Sequence, residues 1–449
     1  DNTNKMIDRN EKPDLSWIAN YRTDTPNFGL ERMEALLAHR GNPHKQLSVI
    51  HIAGTNGKGS TIATLRELLQ LRGLRVGTFT SPYIVSYNEQ IAINGQAISN
   101  QKLNQLLQIY KDLFVHQGHH SAFKGVTEFE IITALAYDYF AQEEVDVAII
   151  EVGMGGLLDS TNVCQPDLTA ISTIGLDHMA LLGSTLGEIA EQKAGIIKTS
   201  IPIVTGKIDR AALEVIQRVA TSKQAPTYLY GQSYQVDWLR SEDTGEVFSL
   251  ENEWRESSIY QTSLLGSYQT DNAALAIEIC DLYCQQKGLP LLTKEEIDRG
   301  LLAVAWPARM EKILEQHLIF LDGAHNPHAL SPLLASFQER FASKDKKILF
   351  TCIRTKALDE MLQLFAQADV SVTLTSFADE RAVSEEEMKR QAFQTGLTYQ
   401  PWKQYVDSYL QDAHKDQEVL LITGSLYFLA QVRAYILTKK EEIDGSVKD

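Results

Sequence analysis

A chain of 449 residues is too long for a single hydrophobic core and calls for at least two domains. Its formal net charge of -16, with no massed basic patch, argues against nucleic-acid binding, and an anionic substrate would need local lysine or arginine. No run of about 18 apolar residues offers a membrane span, and the polar opening stretch DNTNKMIDRNEKPDLS lacks the apolar centre of a signal peptide.

From residue 48 to 205, apolar runs alternate with helical patterns. The expected strands are LSVIHIAG, LRVGTFTS, VDVAIIEVG, DLTAISTIG and IPIVTG. Strands apolar throughout and separated by helices predict a mostly parallel sheet covered on both faces. Residues 226–265 are more polar (YQVDWL, EVFSLENEW) and read as an antiparallel excursion, followed by a helix from about Tyr268 to Gln286. Cys280 and Cys284 fall on this helix and read as small buried residues rather than a zinc pair or a disulfide. With Cys164 and Cys352 they fit a reducing, cytoplasmic setting. The pattern restarts after AVAWPARMEKI with HLIFLDG, KKILFTCI, VSVTLTSF and EVLLITG, and with the helix SLYFLAQVRAYIL. The expected division is a first α/β domain over 1–305, a joint at 306–311, a smaller Rossmann-like α/β domain over 312–440 and a loose tail over 441–449.

The stretch SVIHIAGTNGKGSTIATLRELL reads as strand, glycine-rich turn and helix. Gly54, Gly57 and Gly59 let the backbone turn its N–H groups inward, the helix start adds a positive dipole end and Lys58 adds a point charge. These features predict a phosphate cradle and a P-loop ATPase domain. The pattern GxxxxGK[ST] places a hydroxyl directly after the lysine, yet here Gly59 intervenes before Ser60. The spacing leaves open what completes the metal site that such a loop would otherwise complete itself.

Glu151 ends a strongly apolar strand, where a carboxylate can bind Mg2+ or simply cap a turn. Asp177 and His178 follow the next apolar run in the same manner. Thr185 and Glu188 have capping-box spacing, and Leu186, Ile189, Ala190, Ile196 and Ile197 mark an apolar stripe that includes Lys193. Two readings of Lys193 stand: a snorkelling side chain, or a lysine of lowered pKa that captures CO2 as an anionic carbamate able to ligate metal. Asp322, His325 and Asn326 follow a strand of the second domain, and Arg309 lies at the junction.

The stretches HIAGTNGKGS, TFTSPYIVSYNEQIAING, TEFEIITALAYDYF, EVGMGGLLDSTN, LDHMALLG, QKAGIIK, ARMEKI, DGAHNP and TGSLYFLAQVRAYI occur in this order over roughly residues 20–435. Together the chain resembles the folylpolyglutamate synthases and their bifunctional dihydrofolate synthase relatives, within the Mur-ligase superfamily. The resemblance implies an ATP-dependent ligase that joins L-glutamate to a folate carboxylate through an acyl phosphate. It implies ATP contacts at Thr55, Asn56, Gly57, Lys58, Gly59, Ser60, Asn272, Arg309, Asp322 and His325. Metal positions would be Ser81, Glu151 and His178, holding two Mg2+ ions. Lys193 would be the carboxylated lysine, with Lys58, Lys193 and His178 as catalytic groups. Ser81, Pro82, Tyr83, Thr127 and Glu128 would lie at the folate site, with Ser81–Ile93 as the loop that shapes it. The partners implied are the small molecules folate, L-glutamate and ATP, acting on a monomer without nucleic acid or membrane.

The chain departs from the family at Leu157, where arginine is frequent, and at Ser160, where alanine is common. Both positions bear on the choice of acceptor, so dihydropteroate is an alternative acceptor. A non-catalytic nucleotide switch and a muropeptide ligase are the remaining readings. The complete set of metal residues disfavours the first, and GTNGKGS in place of a GTNGKT-type loop disfavours the second.

Overall fold

The computed structural model describes residues 13–23, 26–81, 86–117, 121–175, 182–242, 244–305, 310–314, 317–412 and 416–446. His178, Arg309, Pro82 and Tyr83, all expected at the site, lie outside the described residues. The chain divides into two compact units. The first comprises Asp1–Val236, Leu250–Ser258 and Asn272–Ala303, and the second Asp237–Ser249, Ile259–Asp271 and Val304–Asp449. The second unit thus takes in two segments that precede residue 305 in the chain.

The first unit is built on an eight-stranded sheet. Its strands are β1 (Val49–Ala53), β2 (Val76–Phe79), β3 (Ile91–Ile93), β4 (Gln96–Ala97), β5 (Val147–Glu151), β6 (Leu168–Ile171), β7 (Ile203–Thr205) and β8 (Thr227–Leu229). They lie in the order β4-β3-β2-β5-β1-β6-β7-β8. The run from β2 to β8 is parallel, and β3 and β4 add an antiparallel edge. Every residue of β1, β2, β5 and β6 is buried, which explains why these strands carry no polar alternation. One apolar core gathers Met33, Leu103, Ile131, Leu135, Phe140 and Ile150; another gathers Ile171, Ile174, Ile189, Ile196 and Ile216.

The polar excursion forms a three-stranded sheet, β9 (Tyr234–Glu242), β10 (Gly245–Asn252) and β11 (Arg255–Thr262), in the order β11-β10-β9. The sequence shows β9 and β10, but β11 (RESSIYQT) lacks enough apolar character to stand out. The second unit holds a six-stranded sheet: β12 (Glu311–Lys312), β13 (Ile319–Asp322), β14 (Asp345–Phe350), β15 (Ser371–Leu374), β16 (Thr398–Tyr399) and β17 (Glu418–Thr423). Its order is β12-β13-β17-β14-β15-β16, parallel except for the β12–β13 pair. Phe320, Phe337, Phe350, Phe365 and Leu421 anchor its core. The expected α/β architecture, a large mostly parallel sheet followed by a smaller α/β domain, is what the chain forms. All four cysteines are buried and unbridged. Among the described residues no helix is long and apolar enough to cross a membrane.

Candidate functional site

Open parallel sheets leave the carboxyl ends of their strands free to face a ligand. In the first unit, β1, β2 and β5 are adjacent there, and each carries an expected site residue. β1 runs into Gly54–Gly57 and the helix Lys58–Leu71. The first intrahelical bond is Thr61 N–H to Gly57 O at 2.9 Å. The N–H groups ahead of it have no carbonyl one turn back, so an anion can take them.

The loop is held from behind by the end of β6. Thr55 N–H donates to Thr173 O at 2.9 Å, and Asn56 N–H to Thr173 Oγ1 at 2.9 Å. Thr55 Oγ1 accepts from Gly175 N–H at 2.8 Å, and Ser172 Oγ donates to Asn56 O. The Thr55 hydroxyl and the backbone of Thr55 and Asn56 therefore shape the loop. Gly57 sits at φ 80°, and a Cβ there would lie 2.3 Å from Asn272 Oδ1. A Cβ at Gly54, φ 148°, would meet Ser172 Oγ at 2.0 Å. Both positions require glycine. The same contact places Asn272, 215 residues further along the chain, against the phosphate loop.

Lys58 Nζ donates to Val152 O at 3.0 Å and lies 3.9 Å from Glu151 Oε1. Glu151 is 5% exposed, and its Oε2 accepts the Ser81 N–H at 2.8 Å. Loop lysine, strand-end carboxylate and Ser81 therefore meet at one point. Hydroxyl and carboxylate oxygens are the donors a hard divalent cation prefers, so Glu151 and Ser81 fit Mg2+. No group of three histidine, cysteine or acidic ligands forms among the described residues. Ser60 Oγ is buried without a hydrogen-bond partner.

The segment after Glu151 joins the remaining elements to this point. Phe129 lies against Gly153, where a Cβ would come within 2.5 Å of its ring, and stacks on Phe79 with centroids 6.0 Å apart. This brings the start of the helix Glu128–Gln142 to the site. Thr127 caps that helix: its side chain accepts from Glu130 N–H at 3.2 Å, while Glu130 Oε1 accepts from Thr127 N–H at 3.0 Å. Glu128 pairs with Arg22 at 2.8 Å. Burial raises the pKa of Glu130, and Arg32 at 2.9 Å opposes the shift. On the other side, Leu157 N–H donates to Gln192 O at 2.8 Å, and Gly156 lies against the carbonyls of Gln192 and Lys193. Lys193, 1% exposed, ends the helix Leu186–Lys193. The apolar stripe expected to continue to Ile197 instead passes into a 3-10 turn, Ala194–Ile196. Thr185 caps this helix through Glu188 N–H, but the Glu188 carboxylate takes Ser184 N–H rather than closing the reciprocal box.

In the second unit, Asp322 ends β13 and is 3% exposed. Its Oδ2 accepts from Tyr268 OH and Met310 N–H, both at 3.0 Å, and its Oδ1 accepts from Ala324 N–H at 3.0 Å. His325 Nδ1 lies 3.0 Å from Gly323 O, a geometry that requires the proton on Nδ1. Asn326 caps the helix Pro327–Arg340 through Ala329 N–H at 2.8 Å. Sequence reading missed Ser172, Thr173, Val152 and Tyr268. Ser172 and Thr173 carry a trace of signal, a hydroxyl pair ending an apolar run. Val152 contributes a backbone carbonyl, which no side-chain pattern reveals.

Two domain families match: the Mur ligase middle domain over residues 113–280, and the Mur ligase glutamate ligase domain over 308–426. The site and these matches define an ATP-dependent ligase of the Mur type. The dihydrofolate synthase/folylpolyglutamate synthase of Bacillus subtilis is 37% identical, covering 93% of this chain and 97% of the relative. The folylpolyglutamate synthase of Lacticaseibacillus casei is 36% identical, covering 91% and 94%. A solved FPGS–AMPPCP–folate complex superposes with a TM-score of 0.83 at 33% identity, covering 94% of this chain and 98% of that one. The chain belongs to the folylpolyglutamate synthase/dihydrofolate synthase family.

Proposed function

We propose that this enzyme joins L-glutamate to the carboxylate of a tetrahydrofolate or folylpolyglutamate, converting ATP to ADP and phosphate. The observation that carries the reading is Lys58, held between Val152 O and Glu151 at the mouth of the phosphate loop. A lysine able to bind phosphate and a carboxylate able to bind metal lie side by side there, and in this reading both would act on the γ-phosphoryl group.

A free carboxylate resists an amine because its leaving group would be oxide. Transfer of the γ-phosphoryl group to the folate carboxylate gives an acyl phosphate; the glutamate amine then attacks its carbonyl carbon and phosphate departs. The transfer joins two anions, so positioning and charge neutralisation supply most of its catalysis. In this reading Lys58 exchanges Val152 O for phosphate oxygens, and the N–H groups of Gly57–Ser60 orient them. Asn272, Arg309, Asp322 and His325 complete the nucleotide contacts, while Ser81, Pro82, Tyr83, Thr127 and Glu128 line the folate side. Mg2+, as two ions held by Ser81, Glu151 and His178, would neutralise phosphate charge when bound. A carbamate on Lys193 would turn a buried cation into an anion suited to the second ion. The reading takes the enzyme as a cytoplasmic monomer.

Incorporation of labelled glutamate with ATP, comparing tetrahydrofolate and dihydropteroate as acceptors, tests the proposal. Incorporation with tetrahydrofolate is expected, and none with either acceptor would refute it. The Bacillus subtilis relative carries dihydrofolate synthase in its name as well, which supports keeping dihydropteroate, the alternative acceptor, in the comparison.

A further inference from the structure

His51 stands in the middle of β1, flanked by Ile50 and Ile52, with no solvent exposure. A strand between two parallel neighbours calls for an apolar side chain, and leucine would satisfy it. An imidazole there carries a penalty, because Nδ1 is buried without a hydrogen-bond partner. Burial, with Lys198 acting in the same direction, pushes its pKa down to about 3, so the ring is neutral.

The other nitrogen is engaged. His51 Nε2 lies 2.8 Å from Thr161 Oγ1, which donates to Asp159 Oδ2 at 2.6 Å. Asp159 also accepts from Thr161 N–H at 3.1 Å and from Met154 N–H at 2.9 Å. Burial raises the pKa of Asp159, but the amides of Met154 and Thr161 and the Thr161 hydroxyl all donate to it and oppose that shift, so the carboxylate acts as an acceptor. A hydroxyl has one proton, and Thr161 gives it to Asp159. Nε2 must then carry the imidazole proton and donate it to Thr161, which leaves Nδ1 as the bare lone pair.

This chain of bonds joins two functional segments. β1 continues directly into the phosphate loop. Residues 153–161 continue directly from Glu151 and from Val152, whose carbonyl holds Lys58. The backbone ladder already pairs Ile52 with Glu151, and Val152 N–H donates to Ile52 O at 2.9 Å. His51 adds a side-chain tie beyond the ladder, where the segment has left the sheet.

We propose that His51 is a positioning residue: through Thr161 and Asp159 it fixes the segment after Glu151 against the phosphate loop, and so places Lys58 and Glu151 for phosphoryl transfer. The proposal rests on the ligase reading of the site.

The test uses the full chain and three variants. His51→Leu fills the space but has no donor, His51→Gln returns an N–H near the Nε2 position, and Thr161→Val removes the hydroxyl. Folate- and glutamate-dependent ADP release, the melting temperature and hydrogen exchange at the Met154 and Thr161 amides are measured. His51→Leu and Thr161→Val should lower kcat by about tenfold or more with the ATP KM changed by less than about threefold, since misplacement acts on the reacting geometry. Both amides should exchange faster in His51→Leu, which should melt no lower than wild type because the orphan nitrogen is gone. His51→Gln should restore kcat and amide protection. Wild-type kcat and exchange in His51→Leu would overturn the proposal. So would a glutamine variant no better than leucine, with activity lost only in step with melting temperature. If wild type itself shows no folate-dependent ADP release, the ligase reading fails, while the amide exchange still decides the His51 tie.

Discussion

Gly57→Ala probes the phosphate loop with an internal control. Gly57 sits at φ 80° and Gly41, an exposed residue after a helix, at φ 79°. A Cβ on Gly41 meets nothing within 4 Å, whereas a Cβ on Gly57 would lie 2.3 Å from Asn272 Oδ1. Gly41→Ala therefore measures left-handed backbone strain alone, about 1–2 kcal/mol. Gly57→Ala adds a clash. Ordinary contacts are about 3.5 Å or longer, so Asn272 must retreat by roughly 1 Å. Asn272 is only 7% exposed, and overpacking of this kind costs about 1–3 kcal/mol more. At roughly 2–4 °C per kcal/mol, Gly57→Ala should melt several degrees below Gly41→Ala. It should also bind AMPPCP about tenfold or more weakly by calorimetry, while Gly41→Ala binds as wild type does, because displacing Asn272 disturbs both sides of the cradle. Equal melting temperatures and equal nucleotide affinities for the two variants would refute this account of the loop.

Lys58→Met should lower kcat by about a hundredfold or more in an ADP-release assay, as loss of one preorganised charge at a reacting phosphoryl group does. Ser81→Ala should raise the Mg2+ concentration needed for half-maximal turnover more than Ser60→Ala does; the buried Ser60 hydroxyl has no partner to lose, and the reverse order would refute the assignment of Ser81. Lys193→Ala should abolish turnover at every bicarbonate concentration, and wild-type turnover across that range would refute the carbamate. Burial, set against a hydrogen bond from Asn252 and reinforced by Asp281, raises the pKa of Glu278 to about 8 from an ordinary value near 4.5. A carboxyl raised in the folded state contributes its full stability below pH 4.5 and loses it as pH climbs toward 8. Glu278→Gln should therefore melt higher than wild type at alkaline pH, with the gain shrinking towards pH 5, as read by calorimetric melts; a gain independent of pH would count against the shift.

The parts of the site legible in the sequence are those made by neighbours in the chain. Gly54–Ser60 sits between an apolar strand and a helix, and glycine, lysine and helix start each announce themselves within seven residues. Glu151 is visible for the same reason, as a charge ending five buried positions. Thr127 and Glu128 show how a local pattern leaves purpose open. The structure presents Thr127 as a helix cap and Glu128 as the partner of Arg22. Short strands such as β12 and β16 have two residues each and no periodicity to read.

The sequence by itself determined the alternation of apolar strands and helices, and hence the parallel sheet, because burial on both faces leaves a continuous apolar record. It also showed a glycine-rich loop after β1, with a lysine suited to phosphate and no hydroxyl residue directly after that lysine. Only the tertiary structure decided what stands opposite that loop. Asn272 against Gly57, Val152 O and Glu151 around Lys58, and Ser172 and Thr173 behind Asn56 are contacts between residues roughly a hundred or more positions apart in the chain. The physical reason is range: periodicity and turn chemistry act over a few residues, whereas a strand-end site is assembled from loops that meet only when the sheet order β2-β5-β1-β6 is set by packing.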